Sequence, residues 1–522
     1  MAKLHEYQGK ALLAQCGITT PRGAVAQTPD EARAIAADIG GPVVIKAQAW
    51  VTGRAGRGAI RFADTPAGAA DAAAAILGMS IGHFTVEHVL VEEKLAIERE
   101  FYAGVIIDDQ ARAPVVVFSS KGGTGIEDIA REYPAQIARH TVDIRLGLRD
   151  FEARELARKT GISGKLLLTL GDVLPRLYDA ARRYDARAAE INPLVLTADG
   201  QLMAADCRFT IDDYAVFRQP ALDIPMAREL DRPPTELERI AWEVERGDYR
   251  GTFFFIQMAF DFQKNDGVIG FHGAGGGGSM MSMDAIQAQG LYIANFVDTS
   301  GNPPASKVYR AARIILSQSG IDGYFASGSG VASQEQFHSA RALVKAFLEE
   351  PLTVPAVIRL GGNAEEQAIA ILNRARAHLP APVEAYGKDD SPEFCAARMR
   401  ALVETPHSDA PVTPYHAEPP AEPYTFDTVS GGTVTLDHAR CRDCATRICV
   451  ERCVPQILAL EDDLPVLAIS REEAQRGGCT ECLACEVECY FEGNRGGYVH
   501  LPIAGLAGYR AAHSEVSHGD LD

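Results

Sequence analysis

Glu190-Ile191-Asn192-Pro193-Leu194-Val195-Leu196-Thr197-Ala198-Asp199-Gly200, followed at Asp206 by a carboxylate fourteen positions after the asparagine, decides how the first half of the chain is read. Pro193 bars helix continuation. Residues 194–197 read as a strand, and Asp199-Gly200 predicts a type I′ hairpin turn, so that the returning strand carries Asp206. An amide oxygen and a carboxylate on adjacent strands are hard ligands, suited to a Mg²⁺ that keeps several waters and bridges nucleotide phosphates. Taken alone, the same residues read more simply as a surface hairpin with incidental acids.

Composition narrows the field around that stretch. A chain of 522 residues with 47% apolar content holds about three domains of ordinary size. A net charge of −19 argues against a nucleic-acid partner, because a phosphate backbone needs a basic face. No basic segment leading into an apolar one opens the chain, and the longest apolar run, around 253–260, is too short to span a bilayer. The expectation is a cytoplasmic protein with no membrane span.

Upstream of the hairpin, residues 4–13 and 29–39 have the spacing of amphipathic helices. The β-branched run 42–48 reads as a buried strand carrying Lys46, and a buried lysine needs an anionic partner, with a ligand as one candidate. The loop after it, Thr52-Gly53-Arg54-Ala55-Gly56-Arg57-Gly58, combines glycines with two guanidiniums that match phosphate oxygens, although such a loop is more often a solvated turn. Two further strands, 88–93 and 98–108, bring Glu92 and Glu100. These acids suit an adenine amine and ribose hydroxyls, or are ordinary strand-edge charges.

Together these segments resemble, in order and spacing, the β subunit of succinyl-CoA synthetase, an ATP-grasp protein, over roughly residues 1–400. The resemblance is carried by residues 4–8, Lys46-Ala47-Gln48, Gly53-Arg54, Leu90-Val91-Glu92, Arg99-Glu100-Phe101-Tyr102, 190–194, Asp206, Ile211-Asp212-Asp213 and Phe217-Arg218-Gln219. It implies that Lys46, Gly53, Arg54, Glu92 and Glu100 contact ATP and that Asn192 and Asp206 hold Mg²⁺. It further implies that Glu190 steadies a phosphohistidine delivered by a CoA-binding α-type subunit. Trp50 and Arg208 depart from the family, which has His and Lys there.

Residues 223–248, rich in proline and charge with one helical pattern at 235–244, read as a connection between domains. Beyond them, strands at 267–271, 291–297, 323–326 and 356–360 alternate with helices at 280–289, 307–317, 335–348 and 364–377, the pattern of an open parallel α/β sheet. Glycine-rich His272–Ser279 reads as a turn forming either a backbone anion nest or a tight connection. This half resembles the family's ligase domain most clearly in Arg359-Leu360-Gly361-Gly362-Asn363. Its loops are changed: His272-Gly273-Ala274-Gly275, Ser300-Gly301-Asn302-Pro303 and Ser327-Gly328-Ser329-Gly330 replace the family's Asn-Gly-Ala-Gly, triple glycine and second phosphate loop. The loop residues His272, Gly273, Gly275, Gly328 and Gly330 are therefore expected at the phosphate and acid site, with a small carboxylic acid other than succinate. His272 reads as a substrate-contacting or structural residue in preference to a phosphorylated one.

Eight of the eleven cysteines lie between Cys441 and Cys489, as Cys441-x2-Cys444-x4-Cys449-x3-Cys453 and Cys479-x2-Cys482-x2-Cys485-x3-Cys489. The second spacing lets three thiolates hold one face of a 4Fe–4S cube while the fourth reaches a neighbouring cluster. Zinc is the competing reading of paired CxxC motifs. Crossed ligation predicts one cluster on Cys453, Cys479, Cys482 and Cys485, and another on Cys441, Cys444, Cys449 and Cys489; the four-residue gap in the first run leaves open one cluster or two, with two favoured. The segment resembles two-cluster bacterial ferredoxins and the small ferredoxins of electron-transfer flavoproteins, through Gly478-Cys479-Thr480-Glu481-Cys482 and Asn494-Arg495-Gly496-Gly497-Tyr498. Cys16, Cys207 and Cys395 read as ordinary buried thiols.

The expected fold is α/β: an ATP-grasp domain over 1–235, a flavodoxin-like CoA-ligase domain over 236–402, a proline-rich linker over 403–430, a small α+β ferredoxin-like domain over 431–503 and a tail over 504–522. The expected activity is ADP-forming acyl-CoA synthesis by a hetero-oligomer, using ATP, Mg²⁺ and CoA, with a flavoprotein or ferredoxin-type electron partner. The alternative is an electron-transfer subunit of a redox complex whose ATP-grasp half is regulatory or couples ATP to electron transfer.

Overall fold

The computed structural model describes all residues except 1, 51–54, 124–125, 225–231, 249, 261, 329, 331, 351, 406–414, 416–418 and 514–522. Two units result, Met1–Pro233 and Pro234–Asp522. In the first, strands β1 (Ala2–Lys3), β6 (Ile97–Asp108), β7 (Ala113–Ser119), β8 (Ile137–Thr141), β9 (Ala186–Thr197), β10 (Leu202–Ala204) and β11 (Cys207–Ile211) form an antiparallel sheet in the order β1-β11-β9-β6-β7-β8, with β10 also paired to β9. One face is apolar, and Phe101, Phe118, Ala189, Ile191 and Phe209 pack with helices α4 (Asp150–Lys159) and α5 (Gly164–Arg183). A second antiparallel sheet, β2 (Gly23–Ala26), β3 (Val43–Ala47), β4 (Ile60–Ala63) and β5 (Val89–Glu93), is ordered β2-β5-β3-β4 and shares a core with α2 (Pro29–Ile39) and α3 (Pro66–Ile76). Thr28 and Thr65 cap those two helices by accepting N–H bonds from Glu31 and Gly68, with proline at the first helical position of each.

The hairpin after β9 is not the expected type I′ turn. Thr197 N–H donates to the Gln201 carbonyl (2.9 Å) and Gly200 N–H to that of Thr197 (2.8 Å), and Gly200 has φ 83° while Asp199 is not left-handed. Type I′ needs left-handed backbone at both central residues. Here the Asp199 carboxylate instead accepts from Thr197 Oγ1 and Gln201 Nε2, which favours a three-residue loop. The return is also broken: β10 ends at Ala204 and β11 starts at Cys207, so Asp206 lies in the gap between two short strands.

The second unit is built on β12 (Phe254–Gln257), β13 (Val268–Ala274), β14 (Tyr292–Asp298), β15 (Gly323–Gly328), β16 (Ala356–Arg359) and β17 (Val383–Tyr386), ordered β12-β14-β13-β15-β16-β17 and parallel apart from β12. Helices α7 (Gly276–Ala288) and α11 (Pro392–Val403) cover one face, and α8 (Ala305–Leu316), α9 (Phe337–Glu349) and α10 (Glu365–Ala375) the other. Thr235 opens α6 (Glu236–Arg246) with a reciprocal capping box to Glu238, within the expected connection.

Of the expected linker, 406–414 and 416–418 lie outside the described residues. Within the expected linker, 423–427 is a strand, β18 (Pro423–Asp427), which continues through β19 (Thr433–Asp437) into β22 (Gly497–His500). A hairpin, β20 (Leu458–Glu461) and β21 (Leu464–Leu467), and helix α12 (Ala484–Glu492) complete the module. Phe426, Val434, Leu436, Leu483 and Val499 belong to the same buried cluster as α8, α9 and α10. Helix α13 (Leu506–His513), within the expected tail, lies against α6. No helix among the described residues is long and apolar enough to cross a membrane.

Candidate nucleotide site and cysteine centres

At the centre of the first unit two lysines face two glutamates. Lys46 Nζ, on β3, donates to Glu6 Oε1 (2.8 Å) and to the Ala205 carbonyl (2.6 Å), and lies 3.0 Å from Glu92 Oε2. Lys10 Nζ donates to both Glu92 oxygens (2.6 Å each) and to the same carbonyl (2.8 Å), with Glu6 Oε1 at 2.9 Å. All four side chains are buried. Burial alone would strip the Lys46 proton, but Glu6, Glu92 and Asp206 outweigh it and hold the ammonium charged well above its usual range. Lys46 is thus partnered by the protein, and Glu92 by the two lysines. Glu6 and Lys10 went unassigned in the sequence, although their i,i+4 spacing on α1 (Glu6–Gln15) was a readable sign of a shared face.

The carbonyl that both lysines bind belongs to the residue before Asp206. Asn192 N–H donates to the Asp206 carbonyl (3.1 Å), so the two expected Mg²⁺ ligands are backbone neighbours across β9 and the gap. The Asn192 side chain accepts from Gly123 N–H (2.9 Å), and any Cβ at Gly123, which has φ 83°, would strike the Glu100 carboxylate. Asn192, Glu100 and the loop ending β7 therefore meet at one place. Glu190 is half-buried on β9, directly across from Arg208 on β11 and two positions before Asn192. Trp50, the departure from the family's His, stacks on His5 with ring centroids 5.1 Å apart. Gly53 and Arg54 lie outside the described residues.

In the second unit the carboxyl ends of the parallel strands converge. A Cβ on Gly361 would meet the Gly330 Cα at 2.8 Å and the Lys388 Cα at 2.9 Å, so these loops touch backbone to backbone. Gln334 N–H donates to Asn302 Oδ1 and Gln336 N–H to the Asn363 carbonyl, linking three loops at the start of α9. Gly328 is wrapped by Arg359, whose guanidinium reaches the Asp390, Gly328 and Lys388 carbonyls.

Two expectations change here. The glycines at 276–278 are helical, with α7 starting at Gly276, and the Asp298 carboxylate already accepts the N–H groups of Gly275 (3.0 Å) and Ser300 (2.8 Å). The protein thus fills part of that nest with its own anion. His272 is not at the loop surface beside Gly273 and Gly275. It is buried on β13 with Nδ1 2.6 Å from the Tyr324 hydroxyl, and burial pushes its pKa down to about 3. Of the two roles expected for His272, substrate-contacting or structural, this placement fits the structural one.

The eight clustered thiols sort into two sets. Cys441, Cys444, Cys449 and Cys489 line one small hollow, beside Arg447 and Asn494. Cys453, Cys479, Cys482 and Cys485 line another, walled by Phe426, Val434, Leu458, Leu483 and Val499. Cys485 and Cys489 are one turn apart on α12, one in each set. Left-handed backbone at Glu481 and Leu483 curls 479–485 around its hollow, and the Glu481 carboxylate anchors that curl by accepting from Thr428 Oγ1 (2.5 Å), Ser430 Oγ (2.6 Å) and Ser430 N–H (3.1 Å). Backbone N–H groups of Gln456, Ile457 and Leu458 point at the Cys453 sulfur, and those of Arg495, Gly496 and Gly497 at that of Cys489. Among the described residues, no three His, Cys, Asp or Glu side chains converge to hold a single metal ion. Cys207 and Cys395 are buried apart from these sets, and Cys16 is half-buried.

The chain is 40% identical over 383 residues to the β subunit of GDP-forming succinate–CoA ligase from Thermus thermophilus, a match covering 73% of this chain and 96% of that one. It belongs to the succinate–CoA ligase β-subunit family. The ADP-forming β subunit of Chloroflexus aggregans is likewise 40% identical over 387 residues, 74% of this chain and 96% of its own length. Residues 3–196 match the ATP-grasp domain. An ATP citrate lyase from Methanothrix soehngenii, solved with citrate and coenzyme A, has the same fold at 18% identity, with a TM-score of 0.63 over 76% of this chain and 99% of that one. This protein is therefore an ATP-grasp CoA ligase of the succinate–CoA ligase family, and about a quarter of it falls outside the length shared with those β subunits.

Proposed function

We propose that the chain is the β subunit of an ADP-forming acyl-CoA synthetase with a fused iron–sulfur electron-transfer module. In this reading Lys46, Glu100 and the 51–58 loop take the nucleotide phosphates and ribose, while Asn192 and Asp206 hold Mg²⁺. The adjacency of Asn192 and Asp206 beside the Lys46 cluster supports this. Glu190 steadies a phosphohistidine brought by an α-type subunit, as the family membership suggests. The phosphoryl group passes to a carboxylic acid, and CoA displaces phosphate from the acyl phosphate. The changed loops at 272–275, 300–303 and 327–330 point to an acid other than succinate.

The observation that carries the redox half is the sorting of eight cysteines into two sets of four by the crossed pattern. These thiols line two hollows, one beside Arg447 and Asn494 and one walled mainly by apolar side chains, with backbone N–H groups directed at Cys453 and Cys489, surroundings that fit a cube and favour its bound thiolates. Such a group would supply one-electron transfer. Cys441, Cys444, Cys449 and Cys489 would hold one cube, and Cys453, Cys479, Cys482 and Cys485 the other.

Protein purified under argon and assayed for iron and acid-labile sulfide tests the module. ADP release in the presence of an α-type subunit, CoA and a panel of carboxylic acids tests the ligase. Eight iron atoms per chain and CoA-dependent ADP formation are expected. Colourless, iron-free protein refutes the module. ADP formation indifferent to CoA refutes the ligase reading and favours a redox subunit with a regulatory nucleotide site.

A further inference from the structure

Helix α9 of the parallel-sheet layer carries two cations that face the cysteine module. Lys345 is completely buried, and its Nζ donates to Glu486 Oε1 (2.7 Å) and Oε2 (2.8 Å) and to Glu349 Oε1 (2.6 Å). It also stands 4.5 Å from the centre of the Tyr498 ring. One helical turn earlier, Arg341 Nε donates to Glu488 Oε1 (2.9 Å), and the other oxygen of that carboxylate takes Arg374 Nη2 (2.5 Å) from α10. Arg310 on α8 adds bonds to the Ser430 and Pro502 carbonyls, 3.1 Å each. Glu486 Oε2 accepts Val499 N–H as well (2.9 Å), so one carboxylate joins α9, α12 and β22.

These contacts are not those of a module resting loosely on a neighbour. Buried charges are retained only when paired, and a buried pair fixes the register of the elements it joins, where apolar contact alone tolerates sliding. The two clamped acids, Glu486 and Glu488, are also the chain neighbours of Cys485 and Cys489. Helix α12 thus gives one thiol to each set, and each thiol adjoins a carboxylate held by a cation of the ligase layer. Metal–ligand distances tolerate errors of only about 0.2 Å, so a slip of α12 would misplace a ligand of both centres together.

We propose that Lys345 and Arg341 are positioning residues for the two four-cysteine centres: the ligase layer holds α12 in place, and the module is not a separable ferredoxin. This inference rests on the iron–sulfur reading above. It also makes α9 a shared rod, because its other end opens from the linked loops at 302–303, 332–336 and 361–363.

The test uses the full chain purified without oxygen as wild type, Lys345→Met, Arg341→Met and Glu486→Gln, the last preserving shape if a Met variant fails to fold. Circular dichroism and MgATP binding by the first unit serve as folding controls. Readouts are iron and sulfide per chain, the EPR spectrum after dithionite reduction, and the reduction potential. At least a twofold fall in iron and sulfide is expected for the Met variants, with a smaller fall for Glu486→Gln. Lys345→Met is further expected to move the potential of whatever centre remains to more negative values, because a buried cation that favours the reduced state is gone, whereas a merely structural loss would leave it unchanged. A folded variant with wild-type iron, spectrum and potential overturns the inference alone. Iron-free wild type overturns it together with the reading it rests on.

Discussion

Replacing Lys46 by Met separates its structural role in the buried cluster from the nucleotide role proposed for it. The cluster of Lys10, Lys46, Glu6 and Glu92 is balanced in charge and buried, with Glu6 and Glu92 5% and 2% exposed. Lys46→Met removes hydrogen bonds to Glu6 and Ala205 and the 3.0 Å contact with Glu92, leaving one uncompensated carboxylate. Breaking one partner of a buried pair costs about 3–5 kcal/mol, against about 5–15 kcal/mol for a whole domain, so the unit should remain folded at a much lower urea midpoint. Adding Glu6→Gln restores neutrality, with Lys10 facing Glu92, and should recover about 2 kcal/mol, or roughly 30-fold in the unfolding constant. MgATP affinity should not recover, since the cation proposed to take the phosphates is still missing. Trp50 lies in this unit and the chain's other tryptophan, Trp242, in the second, so a Trp242→Phe background makes indole fluorescence a local reporter. A double variant no more stable than Lys46→Met, or a Lys46→Met protein that binds MgATP like wild type, would refute the charge-balance argument or the nucleotide role respectively.

Three further outcomes are expected. Cys453→Ser should leave about four iron atoms of eight, with the loss confined to the centre that includes Cys479, whereas uniform loss would contradict crossed ligation. Gly497→Ala would drive a Cβ into the Cys485 carbonyl oxygen, forcing β22 from α12; iron content and melting temperature should both fall, and an unperturbed variant would disprove that contact. Burial holds His272 down to about 3 and His338 to about 4, so between those values and about 6.5 the unfolded chain binds protons that the folded unit refuses. Stability of the second unit should therefore fall with acidification below pH 6.5 by up to about 1.4 kcal/mol per pH unit for each histidine, and in urea titrations His272→Asn should flatten that slope by one proton's worth.

The parallel layer could be read from the sequence because strands and helices alternate there with unambiguous period, and every strand and helix expected between 267 and 377 is present within a few residues. The grouping of the eight cysteines around two hollows follows the spacing of the two runs. What the residues did not disclose are features decided by tertiary partners. Lys46 announced a buried cation without saying that Glu6, from a helix forty positions earlier, would answer it. The glycines at 275–278 suit an anion nest equally whether the anion is a ligand or, as here, Asp298 from the next strand. The deepest of these is the junction of the two halves. Proline-rich composition at 403–430 argued for a spacer, and spacers imply independent modules. Yet Arg341, Lys345, Glu486 and Glu488 look like ordinary solvated helix charges until the two helices are placed against each other, when all four prove buried and paired. Charges of that kind carry no sequence signature, because their meaning lies in a partner more than a hundred residues away. A ligase layer and a cysteine module that exchange buried ion pairs are one folding unit across that junction, so iron bound as proposed and the ligase layer should be lost together under urea.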